Sequence, residues 1–292
     1  MRITKKYSKK NPAPYYYLVH SVRIQGKIKK YEKYLGKEVP QNLDQLEDDL
    51  FRVIRQDKFN EKLKTIKKHY LEKISSYPRS AFEKEVDNFI IEFTFNTQKI
   101  EGSTLTFRET SLLLDKGITP SNKPIDDVIE AELHKKLISL TIQDKPAIIL
   151  DTILQWHYIL FSLTKSDIAG KIRTHGVKIP GSKFVPPSPV EIQPMLDELI
   201  LWFNNNKKDT EPVELAGLMH LKFVTIHPFA DGNGRLSRLI MNSILIEHNL
   251  PMIDIKYKNR SSYYKALEKS QTSEKEHYFL DWLLSYYCNN NL

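Results

Sequence analysis

Residues 227–238 read HPFADGNGRLSR. A histidine, an aspartate, Gly-Asn-Gly and two arginines stand within this short stretch. The imidazole of His227 has an ordinary pKa near neutrality, so it can take a proton from an incoming hydroxyl. Asp231 is a hard oxygen ligand of the kind that holds Mg²⁺ against phosphates. Gly232, Asn233 and Gly234 open a helix. The first N–H groups of a helix lack internal partners, its dipole favours an anion, and glycines let a phosphate come close. Arg235 and Arg238 share one face of that helix, and their planar forks suit several phosphate oxygens at once. The set describes nucleotidyl or phosphoryl transfer, driven by positioning and charge neutralisation at phosphorus. Each piece alone can be structural: His-Pro often stops a helix and Gly-Asn-Gly often makes a turn. The joint spacing carries the reading. There is no GxxxxGK[ST] loop and no strand ahead of the glycines, so neither nucleotide-binding fingerprint applies.

These residues need elements to hold them. An apolar helix over about 212–226 (Leu215, Leu218, Leu221, Phe223, Val224, Ile226) delivers His227 at its end. A second helix, about 232–249, runs into the core through Leu239, Ile240, Ile244 and Leu245. The spacing predicts further helices at about 42–56, 58–75, 124–143, 147–163, 190–206, 259–271 and 274–288. Ser80-Ala-Phe-Glu83 and Thr106-Phe-Arg-Glu109 read as capping boxes. The first opens a helix that runs to about Ile100, with Gly102 as its C-terminal cap; the second opens a short helix ending near Gly117. Two segments break the helical pattern. Residues 14–36 read as a β-hairpin turning at Gln25-Gly26-Lys27, and residues 177–185 as a small hairpin turning at Pro180-Gly181. The fold class is mainly α. Its expected parts are a basic hairpin segment (1–40), a helical connector (41–79) and an all-helical domain with an inserted hairpin (80–292).

Charge and composition narrow the setting. The formal net charge is +8, but residues 1–40 hold 11 Lys/Arg against 2 Asp/Glu, so the excess lies there and the rest is balanced. That basic segment allows a nucleic-acid partner, and equally a solvated face or an acidic protein. No apolar run approaches the ~18 residues that span a bilayer. One cysteine, Cys288, excludes an internal disulfide, which suggests a cytoplasmic protein. His20, His134, His157, His175, His220 and His248 form no metal-ligand spacing.

HPFADGNGRLSR resembles the core motif of the Fic family, H-x-F-x-[DE]-G-N-G-R-x-x-R, at every defined position. The resemblance covers roughly residues 85–292 and implies an all-helical domain with a hairpin flap. It implies a protein adenylyltransferase that moves AMP from ATP to a Ser, Thr or Tyr hydroxyl of a target protein. By motif position, His227 is the general base and Asp231 holds Mg²⁺ (or Mn²⁺). Gly232, Asn233 and Gly234 cradle the α- and β-phosphates, Arg235 neutralises them, and Arg238 receives the γ-phosphate. Phe229 anchors the loop. The hairpin residues Val177, Lys178, Ile179, Pro180, Gly181 and Ser182 resemble the flap, whose exposed strand edge can pair with an extended target segment. Tyr263-Tyr264 and Gln271 stand where relatives contact adenine, although those relatives carry Asn at the last position.

Thr97-Gln-Lys-Ile-Glu101-Gly102 resembles the Fic inhibitory motif, [ST]-x-x-x-E-[GN], on a helix of about 81–101. The implied brake is electrostatic. Glu101 pairs with Arg238, takes the place of the γ-phosphate, and leaves ATP misaligned. In some relatives this glutamate also helps remove AMP, and relatives often dimerise, so reversal, self-modification and a homodimer are all compatible. The alternatives are the same fold with another nucleotide or phospho-donor, and a nucleic-acid-associated protein using residues 1–40.

Overall fold

The computed structural model describes residues 1–8 and 11–292; Lys9 and Lys10, part of the basic segment counted above, lie outside the described residues. The chain forms two compact units, Met1–Thr65 with Leu292, and Ile66–Asn291.

The first unit is a sheet with a helix on one face. Strands β1 (Arg2–Ser8), β2 (Asn11–Ile24) and β3 (Lys27–Gly36) form an antiparallel sheet in the order β1-β2-β3. Gln25 and Gly26 both take left-handed φ values, 48° and 80°, which gives the tight turn that matches strand twist. The expected two-stranded hairpin is therefore three-stranded. RITKKYS has too few apolar residues to reveal a strand by itself; its backbone bonds to β2 make it one. Alternate side chains of β2 and β3 (Leu18, Val22, Tyr31, Leu35) pack on Leu50 and Ile54 of α1 (Leu43–Ser76). α1 replaces the two helices expected over 42–56 and 58–75. No Pro or Gly interrupts Gln56-Asp57-Lys58, and Asp57 takes a 2.5 Å bond from Lys29 of β3.

The second unit is helical. α2 (Arg79–Ile100), α3 (Phe107–Lys116), α4 (Ile125–Asp144) and α5 (Leu150–Phe161) precede a long loop. α6 (Pro189–Asn206), α7 (Pro212–Ile226), α8 (Asn233–Glu247), a 3-10 turn (Tyr257–Asn259), α9 (Arg260–Ser273) and α10 (His277–Asn291) follow. α7 and α8 are the centre and are buried almost throughout. Gly217 of α7 lets α10 come close: a Cβ there would lie 2.5 Å from Leu283 Cδ2.

Three local expectations change. The capping box at Ser80 does not form; α2 starts after Pro78, and Glu83 instead takes Arg79 Nε at 2.7 Å. The box at Thr106 does form, with Gly117 left-handed at the other end of α3. The segment 177–185 is an extended loop with one turn, Ser182 N–H to Ile179 C=O at 3.1 Å, and not a hairpin. Pro180, Pro186 and Pro187 bring no N–H to a ladder, and side chains from elsewhere take the polar groups of the segment instead.

Replacing Gly217 with Val should lower the stability of the helical unit by about 1–3 kcal/mol through overpacking against α10. Thermal denaturation checks this; an unchanged melting temperature would contradict the packing described.

Candidate active site

The site begins where α7 stops. His227 caps it with φ 51°, a left-handed conformation uncommon for a residue with a side chain and one that gathers at functional sites. The turn swings the backbone away and leaves the imidazole at the helix end. Nδ1 lies 3.1 Å from Val224 C=O. A carbonyl can only accept, so Nδ1 carries the hydrogen and Nε2 keeps a free lone pair. Burial lowers the pKa of His227 below its ordinary value, so the ring is neutral at neutral pH.

The loop after it is rigid. Phe229 is fully buried and stacks on His157, with centroids 3.9 Å apart and planes 11° apart. Asn233 turns its side chain inward: its Oδ1 accepts Phe229 N–H at 2.9 Å and its Nδ2 donates to Phe229 C=O at 2.8 Å. What Asn233 can offer an anion is therefore its backbone N–H. Gly170 N–H donates to His157 Nδ1 at 2.8 Å, which leaves Nε2–H to donate to Asp231 C=O at 3.1 Å. Burial lowers the pKa of His157 to about 4, fixing this neutral form. Gly232 has φ 83°, and a Cβ on it would meet Phe161 Cε2 at 2.5 Å. The first-turn N–H groups of α8 thus open toward one point.

Asp231 sits in a cationic clamp. Its Oδ1 accepts from Gly232 N–H at 2.5 Å and from Arg235 Nη2 at 3.0 Å, and its Oδ2 from Lys165 Nζ at 2.7 Å. Burial would raise its pKa, but Arg235 and Lys165 outweigh that and hold it at about 2. Glu130 of α4 bridges the two cations, bonding Arg235 Nη1 and lying 3.0 Å from Lys165 Nζ. Gln98 of α2 accepts from Arg235 Nη1 at 3.3 Å. Among the described residues no group of three or more His, Cys, Asp or Glu could enclose a metal ion. One ionised, half-exposed carboxylate beside a phosphate nest does fit Mg²⁺, which takes one or two carboxylates and leaves its remaining positions to phosphates and water.

Arg238 is the most confined charge, 1% exposed. Its Nη2 donates to Glu101 Oε1 at 2.5 Å and its Nε to Thr97 Oγ1 at 3.3 Å. Nη1 reaches Tyr263 OH at 3.5 Å, and that hydroxyl lies 2.9 Å from His220 Nε2. Burial works against the cation, yet Glu101 raises its pKa above the ordinary guanidinium value. The end of α2 explains how Glu101 arrives there. Gly102 has φ 102°, its N–H bonds Lys99 C=O at 3.2 Å, and Ser103 N–H bonds Gln98 C=O at 3.0 Å. This Schellman end leaves Glu101 as the cap residue, aimed at α8. Gly234 makes room: a Cβ on it would collide with Glu101 Oε1 and lie 3.1 Å from Arg238 Nη1. The carboxylate therefore lies against the positive end of α8 as well as on Arg238.

The loop over 175–187 is tied down at both ends by Arg173, which is 4% exposed. Its Nε donates to His227 C=O at 2.8 Å, Nη1 to His175 C=O at 2.9 Å and Nη2 to Pro187 C=O at 2.7 Å. The tip is held by Glu268 of α9, which accepts Lys183 N–H at 2.6 Å. Tyr264, also on α9, donates to Ile100 C=O at 3.3 Å, next to Glu101. Gln271, one turn beyond Glu268, bonds Thr225 Oγ1 at 3.2 Å instead of facing the glutamate. Sequence reasoning missed Glu130, Lys165, His157 and Glu268 as parts of the site. Only Glu130 left a signal: it is a carboxylate on the same helical stripe as buried Ala131, His134 and Leu137.

Arg173→Ala should free residues 175–187. Their amides should exchange faster, with a stability loss of about 1–3 kcal/mol from three lost charge-assisted bonds to part-buried or exposed carbonyls. Hydrogen exchange that stays unchanged over this loop would refute the tie.

Residues 147–245 match the Fic/DOC family. Protein adenylyltransferase fic-1 of Caenorhabditis elegans is 33% identical over 181 residues, which is 60% of this chain and 35% of that protein. Protein adenylyltransferase Fic of Drosophila mojavensis is 31% identical over 193 residues, 65% of this chain and 38% of that protein. The match thus spans little more than a third of the length of these curated relatives. Among solved structures, a Fic domain containing signaling protein from Bacteroides thetaiotaomicron superposes with TM-score 0.70 at 26% identity, covering 79% of this chain and 94% of that one. A Fic-1 fragment from C. elegans shares the fold, with TM-score 0.67 at 23% identity over 86% of this chain and 76% of that one. Residues 147–245 thus match a Fic/DOC domain, and the helical unit that contains them shares the fold of solved Fic-domain structures.

Proposed function

We propose that the chain is an autoinhibited protein adenylyltransferase, transferring AMP from ATP to a side-chain hydroxyl of a target protein. The observation that carries this is the convergence on one helix start of a neutral histidine, an N–H nest and two buried arginines, with a glutamate filling the anion position. The relatives named as protein adenylyltransferases support the same reading.

The steps follow from the geometry. The nest of α8 receives phosphate oxygens, and Arg235 stands beside it already neutralised by Asp231 and Glu130. His227 Nε2 takes the proton of the target hydroxyl. The hydroxyl oxygen then bonds the α-phosphorus, the bond from that phosphorus to the bridging oxygen breaks, and pyrophosphate leaves. Asp231 would hold the Mg²⁺ that arrives with the nucleotide, and that ion, when bound, screens the phosphate charges. Lys165 can release Asp231 because Glu130 remains its partner. The loop over 177–182 offers backbone groups to an extended target segment. Arg238 binds the γ-phosphate only after Glu101 has left, because both anions need the same guanidinium and the same helix end.

Glu101→Gly should raise AMP transfer by about tenfold or more, since each tenfold corresponds to only about 1.4 kcal/mol and the Arg238 end of the displaced pair is buried. The assay is ATP labelled at the α-phosphate, with label followed onto protein. Absence of α-label from wild type and variant alike would sink the reading. In the Glu101→Gly background, His227→Ala should lower transfer by about 10²–10⁴-fold.

The pH dependence has a definite sign. Only neutral His227 can accept a proton, and its pKa lies below the ordinary 6.5. Transfer by Glu101→Gly should therefore hold steady through neutrality and fall only as the pH drops past that lowered value. An acid limb centred above 6.5 would contradict the burial argument.

A further inference from the structure

The sheet of the first unit has a second face, turned away from α1. The register puts Tyr15, Tyr17, Val19, Ser21 and Arg23 of β2 there, with Ile28, Lys30, Glu32 and Tyr34 of β3 and Arg2, Thr4 and Lys6 of β1; of these Val19 is buried and Ile28 exposed. Contacts agree. The Tyr34 ring lies 5.3 Å from that of Tyr17 and 6.2 Å from that of Tyr15. Lys6 Nζ stands 4.3 Å over the Tyr17 ring and 2.5 Å from Glu32, which also pairs with Lys30. Tyr34 is 52% exposed, and Arg2, Lys6, Arg23 and Lys30 are all exposed. Lys6 thus sits at a cluster of three tyrosine rings, and Arg2, Lys30 and Arg23 extend the positive charge along the same face, with Glu32 paired to Lys6 and Lys30.

We propose that this face, built on Tyr15, Tyr17 and Tyr34 and rimmed by Arg2, Lys6, Arg23 and Lys30, binds a single-stranded nucleic acid. The charge asks for a polyanion. The rings decide which one. An acidic protein would be matched by lysines and arginines alone, and a duplex keeps its base faces stacked and out of reach of flat tyrosines. Unpaired bases offer π-faces to such rings while their phosphates meet the cationic rim. DNA and RNA share both features. The proposal is independent of the transfer chemistry and rests on no residue of that site.

The test uses the full chain and fluorescence anisotropy with oligothymidylate and oligouridylate of about twelve nucleotides, within the range of known single-strand sites. Binding should weaken steeply with salt. Tyr34→Ala should weaken it about fivefold or more, the lower end of what one stacked base contributes, while Tyr34→Phe retains it. Lys30→Gln should flatten the slope of log K against log salt by about 0.7, as expected for one lost phosphate contact to a single strand. Circular dichroism and melting of each variant establish that the sheet is intact. No binding of either oligonucleotide would overturn the proposal. So would binding indifferent to both Tyr17→Ala and Tyr34→Ala, or equal competition by polyglutamate or a duplex of the same length.

Discussion

A guanidinium sealed from water must have an anion beside it, because an unpaired charge in a low-dielectric interior is far more costly than either partner alone in solvent. Arg238, with 1% of its surface exposed, is held by Glu101. Much of the helical unit can be understood from that need. α2 must end where it does, with Gly102 closing the helix so that the next residue inward points across at α8. Gly234 must lack a side chain so that the carboxylate can reach the helix start. Thr97, Tyr263 and, through Tyr263, His220 take up the other sides of the guanidinium. In the proposed function a nucleotide phosphate is the other anion for this guanidinium, and there the glutamate and the phosphate compete for one point.

A second charge cluster lies beside the first, and it is organised differently. Arg235 is shared by Asp231, Glu130 and Gln98, and Lys165 links the two carboxylates again from outside. No single removal leaves a bare charge here. This redundancy lets Asp231 exchange a partner without collapse, whereas Arg238 has one carboxylate and no spare. The histidine between the clusters is kept neutral by burial and oriented by a carbonyl of its own helix. Beneath it, His157 and Phe229 form a stacked floor that keeps the loop from following its ligands.

Where the loop over 177–185 departs from the expected hairpin, the reason is competition for backbone groups. A ladder needs N–H donors that the prolines withhold. Arg173 and Glu268 offer buried or close-lying charged partners instead, so the segment is stapled by side chains and left without strand neighbours. The N-terminal sheet shows the reverse. A strand with few apolar residues forms because β2 supplies backbone partners along Arg2–Lys6, before the register shifts ahead of Ser8.

The sequence by itself determined the helices with clear apolar stripes, the caps at Thr106 and Gly117, and the run from His227 to Arg238, since capping, periodicity and a contiguous motif are local and depend only on nearby spacing. It also held the Glu101 motif, because the glycine after the glutamate dictates the helix end. Whether Asp231 stands alone or in a clamp was decided by the fold, which brings Glu130 from α4 and Lys165 from the loop after α5, each 66 or more residues away. The same is true of the floor under Phe229, the tie at Arg173 and the third strand. Each depends on partners distant in the chain, and a charged or polar residue carries no sign of which distant neighbour will neutralise it. Only the packing of apolar faces, acting without regard to charge, brings those partners within bonding distance.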